Sequence, residues 1–145
     1  MSPATALGTF AIDMARLTDL HSRTHRSLRI SIVDKCDLRC TYCMPEDQHF
    51  LKREELMTRE EIGTLAHLFV EKYGITKIRL TGGEPLMRPD VIDIVRGMAA
   101  LPVKLGLTTN AMRLYLFLDQ LIAAGLKSLN ISLDTFDAER FRNLS

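Results

Sequence analysis

The sequence contains no tryptophan, only three cysteines and almost no net charge. Nineteen Lys and Arg residues nearly balance eighteen Asp and Glu residues, which leaves a formal net charge of +1 at pH 7. This balance does not favour a broad surface for polyanions, so we expect neither nucleic acid nor a membrane as a partner. A phosphate-bearing ligand would have to be bound by specific side chains.

Long hydrophobic runs are also missing. No apolar stretch approaches the roughly 20 residues of a membrane span, and residues 1–16 show no basic stretch followed by an apolar block. We therefore expect no secretory signal and predict a cytoplasmic protein. Thiols stay reduced in the cytoplasm, so clustered cysteines there favour metal binding or catalysis over disulfides.

The chain has 145 residues, of which 46% are hydrophobic and 26% charged. This length suits one globular domain around one core and is too short for two ordinary domains. Residues 1–27 show no periodicity and are predicted to form an N-terminal lead-in segment. Residues 28–145 alternate between strand and helix patterns, which predicts an α/β fold with a parallel sheet and right-handed crossovers.

The element predictions follow from periodicity and from local start and stop signals. Thr58 begins a capping-box sequence, and Gly74 stands where the first helix should end. Strands are predicted over residues 28–33, 76–81, 103–108 and 127–133. Helices are predicted over residues 59–73, 89–100 and 114–124, and a last helix is predicted to begin near residue 137.

The predicted strands alternate between an apolar and a polar face. The apolar face consists of Ile30, Ile32, Ile78, Leu80, Val103, Leu105, Leu107, Leu129, Ile131 and Leu133. The polar face includes Arg29, Ser31, Lys77, Arg79, Thr81, Lys104, Thr108, Ser128, Asn130 and Ser132. A parallel sheet with helices on both faces should be apolar throughout. The pattern therefore favours a wide or incomplete (β/α) barrel with a polar ligand in its lumen, and a sheet with one face in water is the alternative.

All three cysteines fall within eight residues, at positions 36, 40 and 43, just past the first predicted strand. An odd number of cysteines cannot all pair within one chain. Thiolates suit iron–sulfur clusters and zinc, and three of them leave one iron of a cubane open for a further ligand. From the spacing alone, a zinc site with His49 as fourth ligand and three unrelated buried cysteines remain alternatives.

Two motifs resemble those of a known superfamily. The pattern Cys-x3-Cys-x2-Cys, with Tyr42 before the last cysteine, resembles the signature of the radical S-adenosylmethionine (SAM) superfamily. The second predicted strand ends in Thr81-Gly82-Gly83-Glu84-Pro85, which is similar to the Gly-Gly-Glu-Pro motif of that superfamily. The chain further resembles the family of GTP cyclases that begin molybdenum cofactor biosynthesis. This resemblance is found at residues 28–31, 34–36, 40–46, 77–88, 107–110 and 130–134. Ala111 departs from this family, where a glycine is common.

The resemblance runs from about Asp19 to the last residue and implies a fold, cofactors and site residues. The implied fold is a parallel partial (β/α) barrel of the radical SAM type, truncated to about four strand–helix units. The implied cofactors are a [4Fe–4S] cluster, held by Cys36, Cys40 and Cys43, and SAM, contacted by Tyr42, Gly83 and Ser132. The implied contacts with GTP come from Arg29, Arg79 and Thr108. Several of these residues belong to the polar face described above.

The resemblance also implies an activity. SAM would be cleaved reductively at the cluster to a 5′-deoxyadenosyl radical, and GTP would be cyclised to (8S)-3′,8-cyclo-7,8-dihydroguanosine 5′-triphosphate, a lyase reaction. We name no side-chain acid or base, because the cofactors supply the chemistry. The implied partners are GTP and a protein that reduces the cluster, and a homodimer is compatible with the family. The alternatives are another radical SAM enzyme, such as a peptide maturase, and an inactive fragment or zinc-binding module.

Overall fold

The computed structural model describes residues 16–44 and 47–145. Strands and helices alternate in the order β1 (Ser27–Ser31), α1 (Arg59–Tyr73), β2 (Lys77–Thr81), α2 (Val91–Ala99), β3 (Lys104–Thr109), α3 (Leu114–Ala123), β4 (Ser128–Ile131) and α4 (Ala138–Leu144). Two 3-10 turns, Arg53–Glu55 and Pro85–Met87, precede α1 and α2. None of the helices in this part of the chain is long and apolar enough to cross a membrane.

The predicted lead-in segment, residues 1–27, is described only in part. Its first fifteen residues lie outside the described residues. Thr18 and Thr24 pair as an isolated antiparallel bridge, and Asp19 accepts hydrogen bonds from the backbone N–H groups of His21 and Arg23 at 2.9 and 3.0 Å. The lead-in therefore contains a tight turn just before β1, which begins at Ser27.

The four strands form one parallel sheet in the order β1-β2-β3-β4. Parallel neighbours that follow each other in sequence need crossover connections, and α1, α2 and α3 lie in these connections. The predicted α/β fold with a parallel sheet is confirmed.

Local capping signals set the helix boundaries. The Thr58 hydroxyl accepts from the backbone N–H of Glu61 at 3.1 Å, and the Glu61 carboxylate accepts from the backbone N–H of Thr58 at 2.7 Å. This is the predicted capping box. The first helix ends at Gly74 as predicted. Asp137 caps α4 by accepting from the backbone N–H of Arg140 at 2.8 Å.

The helices pack against the apolar face of the sheet. One buried core contains Ile30, Ile78, Leu80, Leu105 and Leu107 from the strands and Ile62, Ala66, Val70, Val91, Ile94, Val95, Met98 and Leu121 from the helices. Each such side chain contributes roughly 1.5–3 kcal/mol on full burial. This packing directs the polar face of the strands away from the core.

The end of β4 differs from the expected pattern. Leu129 packs against the core, but Ile131 and Leu133 are 57% and 47% exposed. The reason is positional, because β4 is the edge strand of the described sheet and α4 contributes no buried residue. The alternation in the sequence assigns both residues to the apolar face, but it does not tell whether another element covers them.

Candidate functional site

The cysteines lie in the loop after β1, at the carboxyl edge of the sheet. The backbone N–H of Cys43 donates to the carbonyl of Cys40 at 2.9 Å, which tightens the second half of the loop into a turn. The Arg39 guanidinium donates to the carbonyl of Cys36 at 2.6 Å and so braces the first half. None of the three cysteines is in a disulfide.

Gly82 and Gly83 follow β2 and contact the start of the cysteine loop. The N–H of Gly83 donates to the carbonyl of Val33 at 2.8 Å, and the N–H of Glu84 donates to that of Lys35 at 2.7 Å. A Cβ on Gly82 would lie 2.2 Å from the Val33 carbonyl oxygen, and one on Gly83 would lie 2.3 Å from that of Lys35. Only glycine lets the backbone after β2 come this close to the cysteine loop. The diglycine therefore positions that loop.

Glu84 is a buried carboxylate, 1% exposed, that joins two loops. It accepts hydrogen bonds from the N–H of Leu86 at 2.9 Å, the Thr109 hydroxyl at 2.8 Å and the N–H of Asn110 at 2.7 Å. A buried charge is tolerated when it is hydrogen-bonded in this way. Glu84 therefore ties the end of β2 to the end of β3.

Asn110 and Asp37 connect the end of β3 to the cysteine loop. The side-chain amide of Asn110 donates to the Asp37 carboxylate at 2.8 Å and lies 3.8 Å from the sulfur of Cys36. The Arg113 guanidinium donates to the same carboxylate at 3.2 Å. None of the three is predicted as a site residue, because Asp37 and the loop that carries Asn110 and Arg113 are more than 70 residues apart in sequence. For Asn110 a signal is available, because it is a polar residue directly after the buried strand β3, which is typical of a site at this edge.

These loops enclose a cavity of about 230 Å³ at the carboxyl ends of the strands. Most of the predicted site residues line it, namely Cys36, Cys40, Tyr42, Cys43, Gly83, Thr108 and Ser132. The carboxyl ends of parallel strands meet at one edge, which brings these distant segments together. The N–H of Ser132 donates to the carbonyl of Thr109 at 2.9 Å and holds the end of β4 at this rim.

The two predicted arginines do not line this cavity. Arg29 and Arg79 are direct neighbours in the register of β1 and β2, and Arg79 is paired with Gly106 of β3. Thr108 is two residues further along β3, so the arginines lie on the same face about 7 Å nearer the amino ends of the strands. Like charges side by side repel, and neither arginine forms an ion pair with any residue that the structure describes. This pair is therefore suited to an anion.

Tyr42 connects the cysteine loop to the residues after β4. Its hydroxyl donates to the Asp134 carboxylate, and this hydrogen bond raises the pKa of Tyr42 above its ordinary value of 10.0. The side chain is 67% exposed. At neutral pH the protonated phenol thus forms one wall of the cavity without being buried.

The donor set fits a cluster better than a single ion. Burial raises the pKa of the Cys36 thiol above its ordinary value of 9.0, so a bound metal must displace its proton. No three His, Cys, Asp or Glu side chains within residues 16–44 and 47–145 are arranged to hold one metal ion, and His49 is exposed and does not line the cavity. In an iron–sulfur cluster each cysteine binds its own iron. Cys36, Cys40 and Cys43 all line the one cavity, as ligands of a shared cluster must, and the zinc alternative with His49 gains no support.

Most of this chain is similar to known proteins. Residues 30–145 match the family model described as Radical SAM superfamily. The chain is 47% identical over 131 residues to a GTP 3′,8-cyclase of Marinobacter nauticus, which covers 90% of this chain and 39% of the relative. It is 55% identical over 130 residues to human Molybdenum cofactor biosynthesis protein 1, which covers 88% of this chain and 20% of that protein. The chain thus spans well under half the length of these curated relatives.

A solved structure supports the fold. The crystal structure of Streptococcus suis SuiB bound to S-adenosylmethionine aligns with a TM-score of 0.69 at 20% identity, over 82% of this chain and 27% of that chain. The predicted fold class, α/β units of the radical SAM type, is confirmed. The superfamily uses a [4Fe–4S] cluster and SAM, which are the predicted cofactors. With its family match over residues 30–145 and its three cysteines on one cavity, this chain belongs to the radical SAM superfamily.

Proposed function

We propose that this chain is the cluster- and SAM-binding part of a GTP 3′,8-cyclase, the enzyme that begins molybdenum cofactor biosynthesis. The observation that carries the proposal is one cavity lined by three free thiols, a diglycine and polar strand ends, beside an adjacent pair of arginines. The identity to relatives named GTP 3′,8-cyclase supports the choice of substrate.

In this proposal Cys36, Cys40 and Cys43 hold the cluster and leave one iron for SAM. When bound, the cluster supplies the electron that cleaves SAM and starts radical chemistry on GTP. Tyr42 and Ser132, which both line the cavity, bind and orient SAM. The backbone at the diglycine, held against the cysteine loop, provides further polar groups.

Arg29 and Arg79 receive the phosphates of GTP. A guanidinium pairs with oxyanions through two parallel N–H donors, and two adjacent guanidinium groups suit a polyphosphate. Thr108 lies between these arginines and the thiols on the same face. In this proposal its hydroxyl binds the nucleoside, between the phosphates and the cluster.

The proposed partners and compartment follow from this chemistry. The electron must come from outside the chain, which calls for a reductant protein. Free thiols at the proposed cluster site suit the cytoplasm, where they stay reduced. A homodimer is part of the proposal as well.

The cluster is tested by anaerobic reconstitution with iron and sulfide. We expect about four irons per chain and cleavage of SAM after reduction with dithionite. A triple variant with Cys36, Cys40 and Cys43 replaced by Ser should bind none. One bound zinc, colourless protein and intact SAM would instead favour a metal-binding module.

GTP binding is tested by calorimetry on the reconstituted chain. Substituting Arg29→Ala or Arg79→Ala should weaken GTP binding about tenfold or more, because each removes a charge-assisted contact worth roughly 1.5–3 kcal/mol. Arg96→Ala is the matched control, since Arg96 is an exposed arginine of α2 paired with Asp93. SAM cleavage without GTP binding would point to another radical SAM enzyme.

A further inference from the structure

Asn110 reaches the sulfur of one of the proposed cluster ligands. Its amide nitrogen lies 3.8 Å from the Cys36 sulfur, which also accepts from the backbone N–H of Leu38 at 3.4 Å. Within the described residues, the sulfurs of Cys40 and Cys43 accept no N–H donor. Cys36 therefore differs from the other two cysteines in having N–H donors directed at its sulfur.

The orientation of the Asn110 amide is determined by its neighbours. Its side-chain oxygen accepts from the backbone N–H of Met112 at 3.0 Å, so the amide nitrogen must face the cysteine loop. Its nitrogen donates to the Asp37 carboxylate at 2.8 Å. Its own backbone N–H donates to the buried Glu84 carboxylate at 2.7 Å. The amide is held at both ends and cannot turn away from the sulfur without breaking these bonds.

We propose that Asn110 is a positioning residue that orients Cys36 and raises the reduction potential of the [4Fe–4S] cluster. The inference rests on the proposed cluster at the three cysteines. Reduction adds one electron, which dithionite supplies in the test below, and the cluster becomes more negative. An N–H dipole directed at a ligand sulfur stabilises that added charge, and hydrogen bonds to sulfur are among the determinants of cluster potential.

Asp37 should affect the reduction potential in the direction opposite to Asn110. Its carboxylate lies next to the Asn110 amide and the Arg113 guanidinium, so its negative charge opposes reduction of a nearby cluster. Replacing it by Asn keeps an oxygen that accepts from Asn110 but removes the charge. Loss of the Asn110 donor and loss of the Asp37 charge should therefore shift the potential in opposite directions.

The test compares reconstituted wild type with Asn110→Ala, Asn110→Ser, Asp37→Asn and, as control, Met112→Ala. Iron per chain is counted, and the midpoint potential is measured without SAM by dithionite titration followed by electron paramagnetic resonance. We expect the iron content to be unchanged in all variants. For both Asn110 variants we expect the equilibrium constant for reduction to be about tenfold lower, which corresponds to a midpoint potential lower by about 59 mV for one electron. Asp37→Asn should be easier to reduce, and Met112→Ala should match wild type.

The outcomes separate this inference from the proposed function. Wild type that binds no iron would refute the cluster itself. A cluster in wild type with the same potential in both Asn110 variants would overturn the inference alone. The inference would also be overturned if the midpoint potentials of the Asn110 and Asp37 variants shifted in the same direction. General loosening of the cysteine loop would then be enough to explain both shifts. If Asn110→Ala does not fold, Asn110→Ser decides, since its hydroxyl can still accept from Met112 but does not reach the sulfur.

Discussion

Glu84 accepts a hydrogen bond from the backbone N–H of Asn110 at 2.7 Å, across 26 residues of sequence. The same Asn110 approaches the sulfur of Cys36 through its side chain. One buried carboxylate thus connects the diglycine motif after β2, the end of β3 and the first of the three cysteines. The site is held together by contacts between loops.

Glu84→Ala should lower the free energy of unfolding by about 3 kcal/mol, because several buried donors lose their acceptor and each unsatisfied group costs roughly 1–3 kcal/mol. The measurement is urea unfolding followed by circular dichroism. Glu71→Ala, at an exposed position of α1, is the control and should stay within about 0.5 kcal/mol of wild type. Equal losses in the two variants would contradict a special role for Glu84.

Gly83→Ala should displace the cysteine loop, because the new Cβ would lie 2.3 and 2.4 Å from the carbonyl oxygens of Lys35 and Asp34. We expect less iron per chain after reconstitution and a loss of roughly 1–3 kcal/mol of stability from overpacking. Gly63→Ala is the matched control, since its new Cβ would point into open space beside α1. It should bind iron normally and gain about 1 kcal/mol, and a normal iron content in Gly83→Ala would argue against the clash.

Ala111→Gly should stabilise the protein. Ala111 has a φ of 65°, a left-handed conformation that costs a residue with a Cβ about 1–2 kcal/mol. Part of this gain is offset by the greater freedom of glycine in the unfolded chain, so we expect an increase of about 0.5–1 kcal/mol in urea unfolding. Ala123→Gly, within α3, should have the opposite sign. A loss of stability at position 111 would mean that the turn has another backbone conformation.

Asp90 should make stability depend on acid pH. The hydrogen bond from Arg88 at 2.8 Å lowers the pKa of Asp90 below its ordinary value of 3.8. A lowered pKa in the folded state contributes stability that is present above the unfolded pKa and is lost as the pH falls through the folded value. Wild type should therefore lose more stability than Asp90→Asn between about pH 5 and pH 2. Urea unfolding at several pH values measures this, and parallel curves would show that the pair contributes nothing.

Signals within a few residues of each other were sufficient to predict local structure from the sequence. Thr58 and Glu61 form the expected capping box, and the first helix ends at Gly74. The alternation in the strands predicted which side chains share a face, because successive side chains point to opposite sides of a strand. The cysteine spacing and the diglycine at a strand end predicted the location of the site, and the roles of the individual site residues remain predictions.

The contacts that the site side chains make with one another could not be predicted from the sequence. That Glu84 bonds to Asn110, that Asn110 faces Cys36, and that Arg29 lies beside Arg79 depend on strand register and loop packing. The close approach of the diglycine to the cysteine loop was not predictable either. The same holds for the exposure of Ile131, which results from the edge position of β4. The elements, their faces and the edge that carries the thiols were predictable from the sequence, because they depend on neighbouring residues. Which distant groups meet at that edge was not, because contacts across 26 to 74 residues arise only when the sheet has formed.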